Sequence, residues 1–342
     1  MSIFWHSVET VLVLFLMGAA GFWLAKRDIL DSGTRYKLSR VLVEIFLPSL
    51  IVAQLLPAAS QSDWKNLWIV PVMAFFNLAL GMILGGVIAR TAKRKDLVMP
   101  SMAAMAFTNT GYVPIGLIVA LSFSRVFSNL GYDDVRSGTG IVALYLVVFS
   151  PLLWLIGYNL IAFSSLKELQ LKKCMTPPLI TAFVTLILAF TPLHKLFISP
   201  EAPLQFVFAA ASMFGDATAP CALLLLGANL ASAEDREKIS PVFLMHFSFA
   251  KYVIAPLVSV LFFVLIVRAG FLHVTPLLAL IIILEGAMPP GLNLIIICQN
   301  TKKHLPFMTS LLFWNYLIAL PFLIIWLYAA YYFLNNSTFL NQ

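Results

Sequence analysis

Three charged residues lie inside long uncharged stretches of this sequence, and their types suit the binding of ions. They are Asp216, Lys251 and Glu285. A charge at the centre of a bilayer costs about 2.5–3.5 kcal/mol on insertion scales, so each of the three requires a partner or a function. A carboxylate beside open backbone carbonyls suits Na⁺ or a proton, and an ammonium group suits an anionic substrate. The competing interpretation is a static ion pair between Lys251 and one of the two acids.

Two polar interruptions accompany these charges. The segments AFTNTGYVPIGL (106–117) and LEGAMPPGL (284–292) place glycine and proline in the middle of apolar runs. Lipid offers no hydrogen-bond partner for a broken backbone, so such breaks are tolerated only beside protein or a water-filled cavity. Gly111 and Pro114 are expected to unwind the first helix, with Asn109 capping free backbone groups or contacting a ligand. A simple proline kink is the alternative.

The ends of the broken helices carry partial charges of their own. Glu285 lies near the C-terminal end of a half-helix, where the helix dipole is negative and favours a cation. The half-helices that begin at 114–116 and 290–292 present free N–H groups, which favour a carboxylate. The two breaks therefore predict adjoining sites for a cation and an organic anion.

The elements that carry these residues are membrane helices. Hydrophobic residues make up 61% of the 342 residues and charged residues 11%, whereas a soluble domain has roughly 45–50% and about 25%. Each charge-free run is long enough for the roughly 20 residues that a membrane helix needs. The runs predict ten transmembrane helices, near residues 6–25, 38–57, 66–89, 98–123, 138–163, 177–195, 203–230, 241–267, 275–299 and 306–333.

The basic residues predict the orientation of these helices. Most of the 22 Lys and Arg residues fall in the odd-numbered loops, which the positive-inside rule assigns to the cytoplasm. Both termini of this multi-pass protein are therefore expected on the outer side of the membrane. Topology also explains the net charge of +7, so we expect no nucleic-acid partner.

The two halves of the chain repeat one another. The second and seventh helices share an acid-x-x-x-Pro motif, at Glu44 and at Asp216, and Asn77 of the third helix aligns with Lys251 of the eighth. The fourth and ninth helices align at their interruptions. Because each half has an odd number of helices, the second half is inverted relative to the first, as in many secondary transporters. The predicted fold is all-α, with two inverted five-helix repeats (1–166 and 174–342) and broken, crossing helices 4 and 9.

Two further groups of residues are expected to serve structure. Glu44 follows Arg40 by one helical turn, which favours an interfacial ion pair over a coupling role. Gly81, Gly85 and Gly86 in the third helix are small residues of the kind that let membrane helices approach closely.

Short motifs along nearly the whole chain resemble the auxin efflux carrier family. They are FLPSL (46–50), FTNTGYVPIGL (107–117), GDATAPCALLLLGANL (215–230), KYVIAP (251–256) and GAMPPGLNLII (286–296). The family includes plant auxin carriers and bacterial carriers of malate or malonate. Plant members carry an Asn-Pro-Asn-Thr-Tyr-like run at the first crossover, which this chain matches only in part. That departure, with the absence of a long cytoplasmic loop, favours a bacterial organic-acid carrier over an auxin carrier.

The resemblance implies a fold related to the bile-acid and sodium–proton carriers, a homodimer, and functional residues at the two crossovers. The expected substrate-binding residues are Asn109, Thr110, Gly111, Tyr112, Pro114, Lys251, Pro289, Pro290 and Asn293. The expected ion-coupling residues are Glu285, Asn109, Asn77, Asp216 and Thr139, with a Na⁺ site at Glu285, Asn109 and Asn77.

The sequence thus predicts a secondary transporter in the cell (inner) membrane. It would move a small anionic organic compound by alternating access, coupled to Na⁺ or H⁺, and would use no other cofactor. The alternatives are an uncoupled uniporter, a channel or sensor, and an intramembrane enzyme. No nucleophile-elbow or zinc-protease spacing accompanies the embedded charges, which weighs against the enzyme.

Overall fold

The computed structural model describes residues 3–58, 67–122, 135–162, 177–199, 201–231, 237–271 and 274–336, and these residues are almost entirely helical. The α-helices of the first half are α1 (Ile3–Lys26), α2 (Ser32–Val41), α3 (Leu47–Ala58), α4 (Ile69–Thr91), α5 (Val98–Ala106), α6 (Tyr112–Ser122), α7 (Val135–Leu152) and α8 (Tyr158–Ala162). Those of the second half are α9 (Pro177–Ala189), α10 (Lys195–Ile198), α11 (Gln205–Asp216), α12 (Thr218–Ala231), α13 (Pro241–Phe249), α14 (Ala255–Arg268), α15 (Pro276–Gly286), α16 (Asn293–Thr301) and α17 (Leu305–Asn336).

Seven helices of the described chain are long and apolar enough to cross a membrane. They are Phe4–Lys26, Ser32–Pro57, Ile69–Thr91, Ser137–Ala162, Gln205–Ala231, Pro241–Arg268 and Leu305–Asn335. An eighth span is available if the bent pair Ile180–Ala189 and Pro192–Ile198, which meet at 99°, forms one crossing. Helical residues also occupy the fourth and ninth predicted stretches. There the helices are split into pieces too short to span alone, so the count of ten spans stays a prediction.

Three helices contain a π-helical turn next to a proline. The turns are Leu42–Phe46, Leu153–Gly157 and Ala250–Ile254, beside Pro48, Pro151 and Pro256. Proline has no N–H for the carbonyl four residues earlier, so the local helical register must change or that carbonyl must find another donor. For one of these carbonyls the replacement donor is clear. Trp326 Nε1 donates to the Tyr252 carbonyl at 2.8 Å, which is the carbonyl that Pro256 leaves without its usual partner.

Close helix contacts depend on glycine, as the sequence predicts for α4. A Cβ at Gly81 would lie 2.5 Å from the Ala106 Cα, and one at Gly85 would lie 2.4 Å from the Ser101 carbonyl oxygen. The absence of a side chain at both positions therefore lets α5 pack directly against α4. Gly86 is different, because its nearest neighbours are side chains, which are able to move.

Basic side chains bind carbonyl or carboxylate groups at loops and helix ends. Lys303 Nζ donates to the Ala162 carbonyl at 2.6 Å, at the C-terminus of α8. Arg94 pairs with Asp96 at 2.9 Å and with Glu237 at 3.5 Å, so it ties the loop after α4 to the loop before α13. The hydrogen bond from Arg94 also holds the pKa of the Asp96 carboxyl below its usual range.

The hydrophobic core runs through both halves of the chain. Buried residues of α4, α5, α6 and α7 belong to the same cluster as those of α13, α15 and α17. The segment at the boundary of the two predicted repeats, 163–176, lies outside the described residues, and the inverted relation of the repeats stays a prediction.

Candidate functional site

The fourth predicted helix breaks where the sequence places its interruption. Helix α5 ends at Ala106 and α6 begins at Tyr112. Asn109 fills the break: its Oδ1 accepts hydrogen bonds from the backbone N–H groups of Tyr112 (3.0 Å) and Val113 (3.4 Å). The Asn109 side chain thus caps free N–H groups at the start of α6, a role that suits asparagine. Pro114 follows in the first turn of α6, where a missing N–H costs no helical hydrogen bond.

The ninth predicted helix breaks in the same way, and the two breaks meet. Helix α15 ends at Gly286 and α16 begins at Asn293. The Asn109 N–H donates to the Pro289 carbonyl at 2.7 Å, and the Gly291 N–H donates to the Phe107 carbonyl at 2.8 Å. We call this antiparallel pairing, centred on Thr108 and Pro290, the crossover bridge. It satisfies backbone groups that the two breaks expose, as a membrane interior requires.

Glycine allows a close backbone approach on one side of the crossover bridge. A Cβ at Gly291 would stand 3.0 Å from the Thr108 carbonyl oxygen and 3.3 Å from the Phe107 carbonyl oxygen. A side chain at this position would require the neighbouring backbone to move by a few tenths of an ångström, which favours a glycine after the Pro289–Pro290 pair.

A cavity of about 340 Å³ opens beside the crossover bridge, within the range of roughly 300–1,000 Å³ typical of small-molecule sites. Five of the predicted substrate-binding residues line it: Asn109, Thr110, Gly111, Tyr112 and Asn293. The polar residues that the sequence analysis did not assign to the cavity are Tyr36, Ser39, Arg40, Glu44, Thr108, Ser150 and Trp154.

One of these, Glu44, is expected from the sequence to form an interfacial ion pair with Arg40. Arg40 Nε donates to Glu44 Oε1 at 2.9 Å, so the predicted i,i+4 pair is confirmed. The same pair nevertheless lines the cavity, with Tyr36 one turn before it. The spacing of Tyr36, Arg40 and Glu44 by four residues places all three on one helix face, and this was the signal that could have identified them.

Lys251 lies outside this cavity lining, so its contact with substrate stays a prediction. It is 2% exposed, and its Nζ donates to the Met105 carbonyl at 3.0 Å, at the C-terminus of α5. No ion pair joins Lys251 to Glu285 or to Asp216 in the described part of the chain. The static ion pair is therefore wrong for this conformation.

Glu285 is buried in the last turn of α15, with 1% of its surface exposed. Neither oxygen of its carboxyl group has a hydrogen-bond partner among the described residues. Tyr145 of α7 lies within electrostatic range of this carboxyl and accepts a 3.0 Å hydrogen bond from Asn77 Nδ2. The hydroxyl of Ser259 is also unpartnered, and it lies 3.2 Å from where a side chain at Gly286 would begin.

The predicted coupling residues are only partly brought together. Asn77 contacts Tyr145, which in turn interacts with Glu285. Thr139 is buried on α7, the helix that carries Tyr145. The Asn109 side chain is occupied, because its Nδ2 donates to the Tyr316 hydroxyl at 2.7 Å while Oδ1 caps α6. Asp216 is exposed at the end of α11, a helix that packs mainly on α3.

A second cavity, of about 390 Å³, borders the bridge at Pro289. Tyr316, the partner of Asn109, is its polar side chain; the remaining lining is apolar and comes from α1, α6, α12 and α17. The crossover bridge therefore borders two cavities, which are lined by different sets of helices.

Comparison with known proteins places the chain among transporters. A family model described as "Membrane transport protein" matches residues 6–327. Protein PIN-LIKES 1 of Arabidopsis thaliana is 23% identical, over 94% of this chain and 77% of that protein. Protein PIN-LIKES 3 of the same plant is 24% identical over 95% and 97%, and an uncharacterized transporter of Saccharomyces cerevisiae, YBR287W, is 29% identical over 44% and 37%.

Proposed function

Because the chain belongs to the auxin efflux carrier family of membrane transport proteins, we propose that it is a secondary transporter of a small organic anion. The observation that carries the proposal is the crossover bridge with a cavity of substrate size beside it. In secondary transporters, broken helices near the middle of the membrane form the substrate and ion sites. We infer that the second cavity, at Pro289, belongs to the path that opens when the carrier turns by alternating access.

The electrostatics of the cavity favour an anion. Helices α6 and α16 both begin at its wall, at Tyr112 and Asn293, so the positive ends of two helix dipoles converge there. Glu44 is the acidic side chain in the described lining, and Arg40 compensates its charge. A carboxylate that enters the cavity meets backbone N–H dipoles and the Arg40 guanidinium, and its apolar part contacts residues such as Phe149 and Trp154.

Glu285 supplies the coupling site. A fully buried carboxylate without a partner is very unfavourable, so the carboxyl group must bind a proton or a cation in this conformation. We infer that the hydroxyl oxygens of Tyr145 and Ser259 would complete a Na⁺ site, with Asn77 orienting the tyrosine. Neutralising Glu285 and delivering an anion in the same cycle keeps the net charge in the membrane small.

The remaining parts of the proposal concern assembly. We infer that ten crossings form two inverted repeats, with α5–α6 and α15–α16 each counted as one broken crossing. The loop charges support an orientation with both termini outside the cell membrane. A homodimer is proposed on family resemblance alone.

Thermal stability of the purified protein tests the cavity as the substrate site. A ligand that binds only the folded state raises the melting temperature by mass action. We expect malonate, L-malate or indole-3-acetate to stabilise the wild-type protein, and Ser150→Trp, which fills the cavity, to remove that shift. Ser150→Ala is the matched control and keeps it. Equal stabilisation of the Trp variant and the wild type would place the substrate elsewhere, and stabilisation by none of the three anions would overturn the anion proposal.

A further inference from the structure

The second cavity, at Pro289, is lined almost wholly by carbon. Its volume is about 390 Å³, and among the described residues of its lining Tyr316 supplies the polar side chain. The hydroxyl of that tyrosine already accepts a hydrogen bond from Asn109 Nδ2 at 2.7 Å. A buried water needs several polar partners, whereas an apolar cavity in a protein stays dry and takes up apolar molecules. The lining therefore suits a ligand that is hydrocarbon in character.

The mouth of this cavity faces the interior of the bilayer. Phe15 and Leu317 line the cavity and are 46% and 42% exposed. Phe15 lies at the middle of the span Phe4–Lys26, and Leu317 lies well inside the span Leu305–Asn335. Exposed apolar side chains at that depth contact the hydrocarbon tails of lipids. The cavity is therefore continuous with the lipid-facing surface, at a level that lipid headgroups do not reach.

Two helices of the cavity wall are already in backbone contact. A Cβ at Gly227 of α12 would lie 1.7 Å from the Gly18 carbonyl oxygen of α1, and one at Gly21 would lie 1.9 Å from the Leu224 carbonyl oxygen. Helices α1 and α12 therefore cannot close the cavity by approaching each other. A space without atoms on one side deprives its lining of dispersion contacts, so a molecule that fills the cavity stabilises the wall.

We propose that an acyl chain of a bilayer phospholipid enters this cavity sideways, between α1 and α17, and binds there. The end of the chain reaches Val113 and Leu223, which line the cavity and are 4% and 1% exposed. Lipid tails are as apolar as the lining, so the gain comes from packing contacts. The chain also contacts Pro289 of the crossover bridge, and its presence stabilises this conformation of the break. The inference goes beyond the proposed function and holds whatever compound the carrier moves.

Photolabelling of the full-length protein in proteoliposomes tests the proposal. The probe is phosphatidylethanolamine with a diazirine at the end of one acyl chain, and mass spectrometry locates the labelled residues after irradiation. Surrounding lipid labels exposed residues of the same helices, such as Leu16 and Ile325, which are 66% and 53% exposed. A chain in the cavity also labels the buried Val113 and Leu223. Labelling confined to the exposed residues would overturn the proposal.

A leucine in the cavity should displace the chain. A Cβ at Gly18 meets no heavy atom within 4 Å, so Gly18→Leu places its side chain in open space beside the lining. We expect this variant to lose labelling at Val113 and Leu223 and to keep it at Leu16. Ala20→Leu is the matched control, because Ala20 is exposed on α1 and lies outside the described lining. Wild-type labelling of the two buried residues in a folded Gly18→Leu variant contradicts the binding of a chain.

A second pair of variants covers the case in which Gly18→Leu does not fold. Leu320→Trp fills the cavity from α17, and Ile325→Trp adds the same ring to an exposed position of that helix outside the described lining. Labelling of Val113 and Leu223 should be lost in the first variant and retained in the second. Equal labelling in the two variants would count against the proposal. Because the readout requires no transported compound, its failure is distinct from a failure of the anion proposal.

Discussion

Asn109→Ala is expected to destabilise the protein by about 2–4 kcal/mol and to abolish transport. The variant loses the cap of α6, which is worth about 0.5–2 kcal/mol. It also leaves the buried Tyr316 hydroxyl without its 2.7 Å partner, at a cost of about 1–3 kcal/mol. Since the same residue anchors the crossover bridge through its backbone, the cavity wall should lose its shape. Denaturant unfolding in detergent measures the stability change.

Two variants divide the effect of Asn109 between its side-chain groups. Asn109→Asp keeps an oxygen for the Tyr112 and Val113 N–H groups but no donor for Tyr316, so its stability should fall between that of the wild type and that of Asn109→Ala. Tyr316→Phe removes only the hydroxyl contact and should cost about 1 kcal/mol. A stable, transport-competent Asn109→Ala would show that the cap does not hold the break.

Glu285→Gln is expected to remove the ion dependence of transport completely and to leave a folded protein. Glutamine keeps the size of the side chain but neither binds a proton in its place nor attracts Na⁺. The carboxyl group has no hydrogen-bond partner among the described residues, so no described contact is lost by the change. Uptake driven by a proton or Na⁺ gradient should fall to the level of passive exchange, measured in proteoliposomes.

Asp216→Asn is the matched control for Glu285→Gln. Each substitution removes one acid that lies inside a long uncharged stretch of the sequence. Asp216, however, is exposed at the end of α11 and lies outside the described cavity lining. Gradient-driven uptake by Asp216→Asn should equal that of the wild type. Unchanged coupling in Glu285→Gln would leave an uncoupled uniporter as the better description.

The breaks themselves were predictable from sequence, because glycine and proline interrupt helices for local reasons and lipid penalises an open backbone. Asn109 was identified for the same reason, as a capping residue beside the break. The pairing of Asn109 with Pro289 and of Gly291 with Phe107 was not predictable residue by residue. This pairing depends on how closely two backbone segments approach each other, and the only sign of that approach in the sequence is the glycine at 291.

The roles of Lys251 and Glu44 needed the structure. A buried lysine predicts a partner, and acids are the usual candidates, but the π-helical turn directs Lys251 to a backbone carbonyl instead. Glu44 forms the expected pair with Arg40, a pattern common on exposed helix faces. The packing of distant segments decides which helix face borders a cavity. The sequence alone therefore did not show that the Arg40–Glu44 pair lines the cavity.

Uptake by proteoliposomes tests the central claim most directly. The labelled anion is whichever of malonate, L-malate and indole-3-acetate gives the largest thermal stabilisation, and uptake is followed under an imposed proton or Na⁺ gradient. A secondary transporter is expected to show saturable uptake and to accumulate the anion above its external concentration until the gradient is dissipated. Non-saturable flux that only equalises the two concentrations, or no flux of the stabilising anion, would contradict the account.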